Sequence, residues 1–169
     1  FFFADLKTSG DLKLLDNEMV AWVKNHNHPI HEKSVGIGHE MMQRYTVAER
    51  PGKCCPDLER LKRYFYAIDK QWFDLERFQP VMEHPFESYL ANRAYQDLTR
   101  ETTPCCLRAE DRQCASNGME HFDPFLDKHL VEFMFSIPPQ MKIRNGVTKS
   151  LLRQAMAGIV PDATRARIV

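Results

Sequence analysis

The sequence lacks any apolar run near the ~20 residues that span a bilayer, so no membrane partner is expected. It also lacks an excess of charge of either sign, because 23 Lys and Arg residues face 23 Asp and Glu residues. A nucleic acid or an anionic surface is therefore not an expected partner. Short basic groups such as Arg60-Leu61-Lys62-Arg63 read as solvated helix faces. The phosphate-cradling patterns GxGxxG and GxxxxGK[ST] are missing, as are the zinc-protease HExxH and the nucleophile-elbow GxSxG. No local signature supports a Cys-His nucleophile pair either.

A secretory leader is missing too: no initiator Met and no basic segment precede an apolar run. The cysteines, five in number, then read as reduced thiols of a cytoplasmic protein, mostly small core residues. Cys54-Cys55 and Cys105-Cys106 are vicinal pairs without zinc-ligand spacing. A metal site shared between the two pairs is the alternative. His26, His28 and His31 sit in "HNHPIH", where Pro29 argues against a regular helical face, so a solvated loop is expected. No metal centre is assigned. The opening "FFFADLKTSG" reads as the end of an element that begins upstream, and "PDATRARIV" stops without a closing pattern. Both ends are expected to be artificial.

What the sequence does contain is helical spacing. Leu12, Leu15, Met19, Trp22 and Val23 recur at threes and fours, behind Ser9 and Asp11 as candidate caps. The run around Val35 to Tyr45 is weaker, because Gly36 and Gly38 interrupt it. Pro51-Gly52 and Pro56 mark a loop, Asp57 caps a helix over 58–78, and Pro80 and Pro85 break it. A further helix sets Tyr89, Leu90, Ala94 and Leu98 on one side and ends at Thr103-Pro104. "CCLRAEDRQCASNGME" reads as a helix or helix-to-loop segment that Gly118 closes. Asp127 caps "KHLVEFMFS", with Leu130, Val131, Met134 and Ile137 pointing one way before Pro138-Pro139. "QMKIRNG" reads as a turn or short extended piece. Thr148 caps "KSLLRQAMA", with Leu151, Leu152, Ala155, Met156 and Ile159 inward and Gly158 as the stop. The fold class is mainly α, about seven helices joined by Pro/Gly-marked loops.

One titratable cluster stands out, Glu110-Asp111-Arg112 followed by Glu120. Adjacent carboxylates beside an Arg form a surface ion pair, or a set in which one acid is paired and its neighbour is left for proton transfer. Lys149 and Arg153 share a helix face near an N-terminus that favours an anion, or form a solvated basic edge.

Residues 107–161 read "LRAEDRQCASNGMEHFDPFLDKHLVEFMFSIPPQMKIRNGVTKSLLRQAMAGIVP". The runs "EDR", "PFLD", "LVEF", "TK", "LLR" and "AM" fall in the order of "LRxEDRxSMAxSxExRxPFLDxxLVEFxxSLPxxxKixxGxxKxLLRxAMxGxLP". The segment thereby resembles the synthetase domain of the asparagine synthetase family, strongly over about a third of the chain. The resemblance implies that residues 1–169 are the helical C-terminal portion of an adenine-nucleotide α-hydrolase-like domain. Its parallel-sheet ATP-binding core would lie largely outside this sequence.

It implies an ATP-dependent amide ligase, with ATP and Mg in the parent protein and none bound to this portion alone. Aspartate is adenylated on its β-carboxylate. Ammonia then attacks, released from glutamine by a separate N-terminal glutaminase domain. A homodimer is compatible with the family.

Relatives close lasso peptides or β-lactams by the same adenylation, which is the alternative within this chemistry. The alternative of another class is a non-catalytic helical scaffold. The resemblance points to Glu110 as the acid/base, with Asp111 second and more suited to pairing with Arg112. A catalytic Lys is expected just beyond Val169, with Arg165 and Arg167 as candidates near the phosphates. Lys149 is read as architectural. Two departures stand out: "ExRxPFLD" is "EHFDPFLD" here, so Phe122 replaces an Arg that would partner Glu120, and "DRxSMA" is "DRQCAS".

Overall fold

Helix α1 (Phe2–Ser9) includes Phe2 and Phe3, and buries Phe2, Ala4 and Leu6. In the computed structural model, which describes residues 1–25, 34–46, 69, 71–72 and 83–168, that helix runs on to Ser9, so the Phe triplet does not close an element. Gly10 ends α1 at φ 80°, a left-handed conformation that costs glycine nothing. The chain re-enters helix α2 (Leu12–Asn25), where the Leu14 amide donates to Asp11 Oδ1 at 3.1 Å. That is the expected Asp11 cap, while Ser9 stays inside α1.

Leu15, Met19 and Met42 close on α1, the last from α3 (Val35–Thr46). Gly36 and Gly38 do not break α3. Each glycine costs about 1 kcal/mol against alanine in a helix, a cost that burying Met42 helps to offset. Of the expected helix over 58–78 only Asp69, Gln71 and Trp72 are described, and there the chain makes a turn instead of a helix, with Asp69 Oδ1 accepting from the Gln71 amide at 2.9 Å. The rest of it, the basic run 60–63, the loop at Pro51-Gly52, Pro80, Cys54, Cys55 and the His26/His28/His31 group lie outside the described residues.

Helix α4 (Tyr89–Thr99) is held by an acid from the other end of the chain. Asp5 of α1 accepts hydrogen bonds from the Tyr89 amide (2.6 Å), the Leu90 amide (3.2 Å) and Ser88 Oγ (2.8 Å). Ser88 Oγ in turn accepts from the Ala91 amide at 3.0 Å. Two side chains thus satisfy the donors a helix start leaves open. Asn92 and Gln96 on this helix are buried; Asn92 bonds the Phe86 backbone through both ends of its amide. Tyr89, Leu90 and Leu98 are buried or half-buried as expected, but Ala94 is exposed.

Thr103-Pro104 does not end a helix. It lies in the first turn of helix α5 (Thr102–Ser116), where a missing N–H is harmless. Helix α5 buries no residue, and Cys105 and Cys106 are exposed free thiols, not core residues. A 3₁₀ turn (Pro124–Leu126) leads into α6 (Lys128–Ser136). Asp127 caps α6 as expected, accepting from the His129 and Leu130 amides at 3.0 and 3.1 Å. Leu130, Val131, Met134 and Ile137 are half-buried. Phe135 of α6 stacks on Phe86 at 5.3 Å, and Tyr95 meets both rings edge-on, joining α6 to α4.

A short helix α7 (Pro139–Lys142) runs into a hairpin of β1 (Ile143–Arg144) and β2 (Val147–Thr148), paired antiparallel with Ile143 opposite Thr148. Asn145 at φ 53° and Gly146 at φ 68° make the two-residue turn that suits strand twist. The turn is pressed against α2. A Cβ on Gly146 would lie 2.2 Å from the Trp22 nitrogen, so only glycine fits. The buried Glu18 carboxylate accepts from the Asn145 and Gly146 amides at 2.8 and 2.7 Å. Asn25 Nδ2 donates to the Asn145 carbonyl at 2.9 Å.

Helix α8 (Ser150–Ala155) begins at Lys149, not under a Thr148 cap: Thr148 belongs to β2. Leu151 and Met156 are half-buried, whereas Leu152, Ala155 and Ile159 face solvent. Helix α9 (Asp162–Arg165) follows. The described residues are mainly helical, and among them this hairpin is the only sheet.

Candidate functional site

The end of α5 is built to fold the chain back on itself. The Gly118 amide donates to the Ala115 carbonyl at 3.1 Å and the Met119 amide to the Cys114 carbonyl at 2.9 Å. With Gly118 at φ 66°, this is the paired closure that stops a helix and reverses its direction. The returning strand of chain, residues 119–123, has no regular structure and passes beside the last turns of α5.

That reversal places the half-buried His121 among three carboxylates. Its Nε2 is 3.4 Å from Glu110 Oε2 and 3.5 Å from Asp123 Oδ2. Its Nδ1 is 3.5 Å from Asp111 Oδ1. The sequence-predicted acids Glu110 and Asp111 are therefore brought together, but around a histidine that sequence reasoning did not single out. The expected Asp111–Arg112 pairing is not found. Arg112 is exposed without an ion pair among the described residues, and Asp111 faces His121 instead. Glu120 is exposed without an ion pair among the described residues, and the Phe122 ring is 84% exposed.

The other candidates lie elsewhere, and Arg165 and Arg153 are engaged. Arg165 holds Asp162 through Nε and Nη2 at 3.0 and 2.8 Å. Arg153 donates from Nε to the Thr148 carbonyl at 3.0 Å and from Nη1 to the Arg165 carbonyl, tying β2 and α8 to α9. Lys149 is exposed at φ 60°, so it and Arg153 do not converge on an anion. Arg167 is exposed.

A cavity of about 410 Å³ opens between α1, α2, the hairpin and α8, lined by Phe2, Glu18, Arg144, Ser150 and Gln154 among others. Helices α4 and α6 and the 3₁₀ turn border a second, more apolar groove of about 350 Å³, lined by Leu98, Phe125, Val131 and Phe135 among others. Neither contains Glu110 or His121.

The profile described as Asparagine synthase matches residues 12–168. The chain belongs to that family. Among its relatives, asparagine synthetase [glutamine-hydrolyzing] 1 of Bacillus subtilis is 44% identical over 56 residues, 33% of this chain and 9% of the relative. Asparagine synthetase [glutamine-hydrolyzing] 3 of the same organism is 39% identical over 56 residues, with the same coverage of each chain. The human asparagine synthetase [glutamine-hydrolyzing] is 47% identical over 49 residues, 28% of this chain and 9% of the relative. The matched stretch thus spans about a tenth of these relatives' length. No solved structure matches this chain. Among the described residues no helix is long and apolar enough to cross a membrane.

The family brings ATP and magnesium into question. The described residues do not fit as their cradle. No glycine-rich loop precedes a helix among them, and Arg165 is committed to Asp162. Among the described residues the one cluster with cation-ligand spacing, Glu110, His121 and Asp123, offers a nitrogen where magnesium takes oxygen.

Proposed function

We propose that this chain is the helical C-terminal portion of an ATP-dependent, amide-forming ligase. In it, ammonia derived from glutamine is joined to the activated β-carboxylate of aspartate. The observation that carries the reading is the family match over residues 12–168, together with relatives named as glutamine-hydrolyzing asparagine synthetases. The sheet that binds ATP and the glutaminase domain would be contributed by other parts of the parent protein.

Within this chain Glu110 is the candidate for proton transfer, with Asp111 second. Glu110 lies inside α5 with its carboxylate turned to His121, so it faces a partner while its exposed side remains open to a substrate. The helices downstream serve as a frame. Asp127, the Asn145-Gly146 turn and the Arg153 carbonyl bonds fix the run from α6 to α9 without presenting a reactive group.

The test is Glu110→Gln in the protein that carries this chain. Amide formation should fall by at least a hundredfold, the upper reach of general acid–base catalysis being about 10⁴. ATP binding should weaken far less. Turnover near that of the parent protein would remove Glu110 from the mechanism and pass the role to Asp111 or to a residue elsewhere. The chain by itself should show no ATP/pyrophosphate exchange, since its described residues form no phosphate cradle.

A further inference from the structure

The His121 cluster has a geometry that hydrogen bonding does not account for. An N–H···O bond places its heavy atoms about 2.7–3.2 Å apart, yet the three carboxylate oxygens stand 3.4, 3.5 and 3.5 Å from the ring nitrogens. Two of them, on Glu110 and Asp123, share Nε2. A cation bound tetrahedrally at about 2.1 Å sets its ligands ~3.4 Å from one another. The two Nε2 distances match that edge, and the oxygens of Glu110 and Asp123 lie within 4.8 Å of each other and of Nε2.

The other side of the ring is arranged to match. A metal-bound histidine turns its second nitrogen to a carboxylate, which fixes the tautomer that leaves Nε2 free to bind. Asp111 stands on that side, its Oδ1 3.5 Å from Nδ1, just beyond hydrogen-bond length and within reach of a small side-chain rotation. His121 is the least exposed member, at 22% of its side chain, so the nitrogen donor is anchored while the acids reach in from the rim.

We propose that Glu110, His121 and Asp123 bind one divalent transition-metal cation of the zinc type, with Asp111 orienting the imidazole. One nitrogen and two oxygens suit Zn²⁺, Co²⁺ or Mn²⁺ over Mg²⁺ or Ca²⁺, which take oxygen. Three protein ligands leave a fourth position for water. The inference rests on this geometry and not on the ligase reading. It does bear on it, because a cation on Glu110 competes with proton transfer there.

The probe is cobalt(II) alone, followed by visible absorption and by calorimetry on the intact chain without nucleotide or amino acid. One cobalt should bind per chain, without the sulfur-to-cobalt charge-transfer band that cysteine ligation gives. His121→Ala should abolish binding, and Asp123→Asn should weaken it at least tenfold. Asp111→Asn, which removes only the orienting group, should weaken it about 10–100-fold. Circular dichroism establishes that each variant is folded, and Asp123→Asn carries the test if His121→Ala is not. Zinc should displace cobalt and excess magnesium should not. No binding at millimolar cobalt, undiminished binding in His121→Ala or Asp123→Asn, or a strong sulfur band would each overturn the assignment. Loss of ligase activity in Glu110→Gln with cobalt binding unchanged would separate the two roles and also overturn it.

Discussion

Residues 2–91 and residues 107–161 differ in what they bury. The buried apolar side chains Phe2, Ala4, Leu6, Leu15, Met19, Met42, Tyr89 and Ala91 all belong to the first region. The second contributes Gly146 and Ser150 to the buried set, and exposes Met119, Phe122, Phe125, Phe133, Met141, Leu152 and Ile159. Yet the second region carries the family's motifs. Its sequence is specified by turns, caps and backbone bonds, and it is anchored to the first region at a few points. Apolar residues at helical spacing therefore do not mean that an element owns a core. Ile159 was placed inward by that spacing and is 73% exposed.

The anchoring can be broken most severely at Gly146. Its left-handed φ already disfavours any side chain, and a Cβ would meet the Trp22 nitrogen at 2.2 Å and its Cα at 2.3 Å. Gly146→Ala should destabilise the chain by more than about 3 kcal/mol, read as a shift in the urea midpoint. A loss below about 1 kcal/mol would mean that the hairpin is not fastened to α2. Glu18→Gln is next. It replaces one of two accepting oxygens by an NH₂ facing a buried amide, and should cost about 2–3 kcal/mol. Asp5→Asn weakens the cap that α1 supplies to α4 and should cost about 1–2 kcal/mol. Proteolysis of this variant should cut first around residues 83–89, where the freed helix start frays.

These anchors mark the limit of what the sequence discloses. Asp11 and Asp127 were legible as caps because donor and acceptor lie within three residues of one another. Asp5 and Glu18 were not, because their partners are 84 and 127 positions away. Nothing local distinguishes them from solvated helix acids. Thr103-Pro104 misled because proline ends a helix and starts one with equal ease, and only Thr102 onward settles which. Thr148 misled because a residue that suits a cap also suits a strand edge. At the candidate site Glu110 and Asp111 were visible as paired acids. His121 was not, since it meets them only after Gly118 reverses the chain. The Asn145-Gly146 dipeptide carries its own geometry, a two-residue hairpin turn with both residues at positive φ, which is finer than a turn or short extended piece.

If the second region is held by anchors rather than by its apolar surface, its exposed rings should be expendable for folding. Phe122→Arg should change stability by no more than about 0.5 kcal/mol, because the ring is 84% exposed. A loss above 1 kcal/mol would show that the ring is covered in solution and that the contrast between the regions is overdrawn. The same variant sets a cation near the His121 cluster and should weaken cobalt binding there.

A pH-dependent effect tests the seam itself. Lys142 lies half-buried over the Phe135 ring, 5.9 Å from its centre. Burial pulls its ammonium below the usual lysine range, and Asp5 across the seam opposes that pull. The folded chain therefore releases this proton at lower pH than the unfolded chain, whose lysine titrates near 10.4. Below the folded value both states are charged, and the desolvation cost is carried in full. As pH rises towards ~10.4 the folded state is deprotonated first, so stability rises across that window. Relative to Lys142→Met, the parent chain should gain less than about 1 kcal/mol between neutral and alkaline pH, since water still reaches the group. Asp5→Asn, which removes the opposing charge, should lower the folded value and widen the window. Denaturation midpoints at neutral pH and near pH 10 measure both, and parallel curves for the parent and Lys142→Met would show that Lys142 is solvated and that the two regions do not meet there.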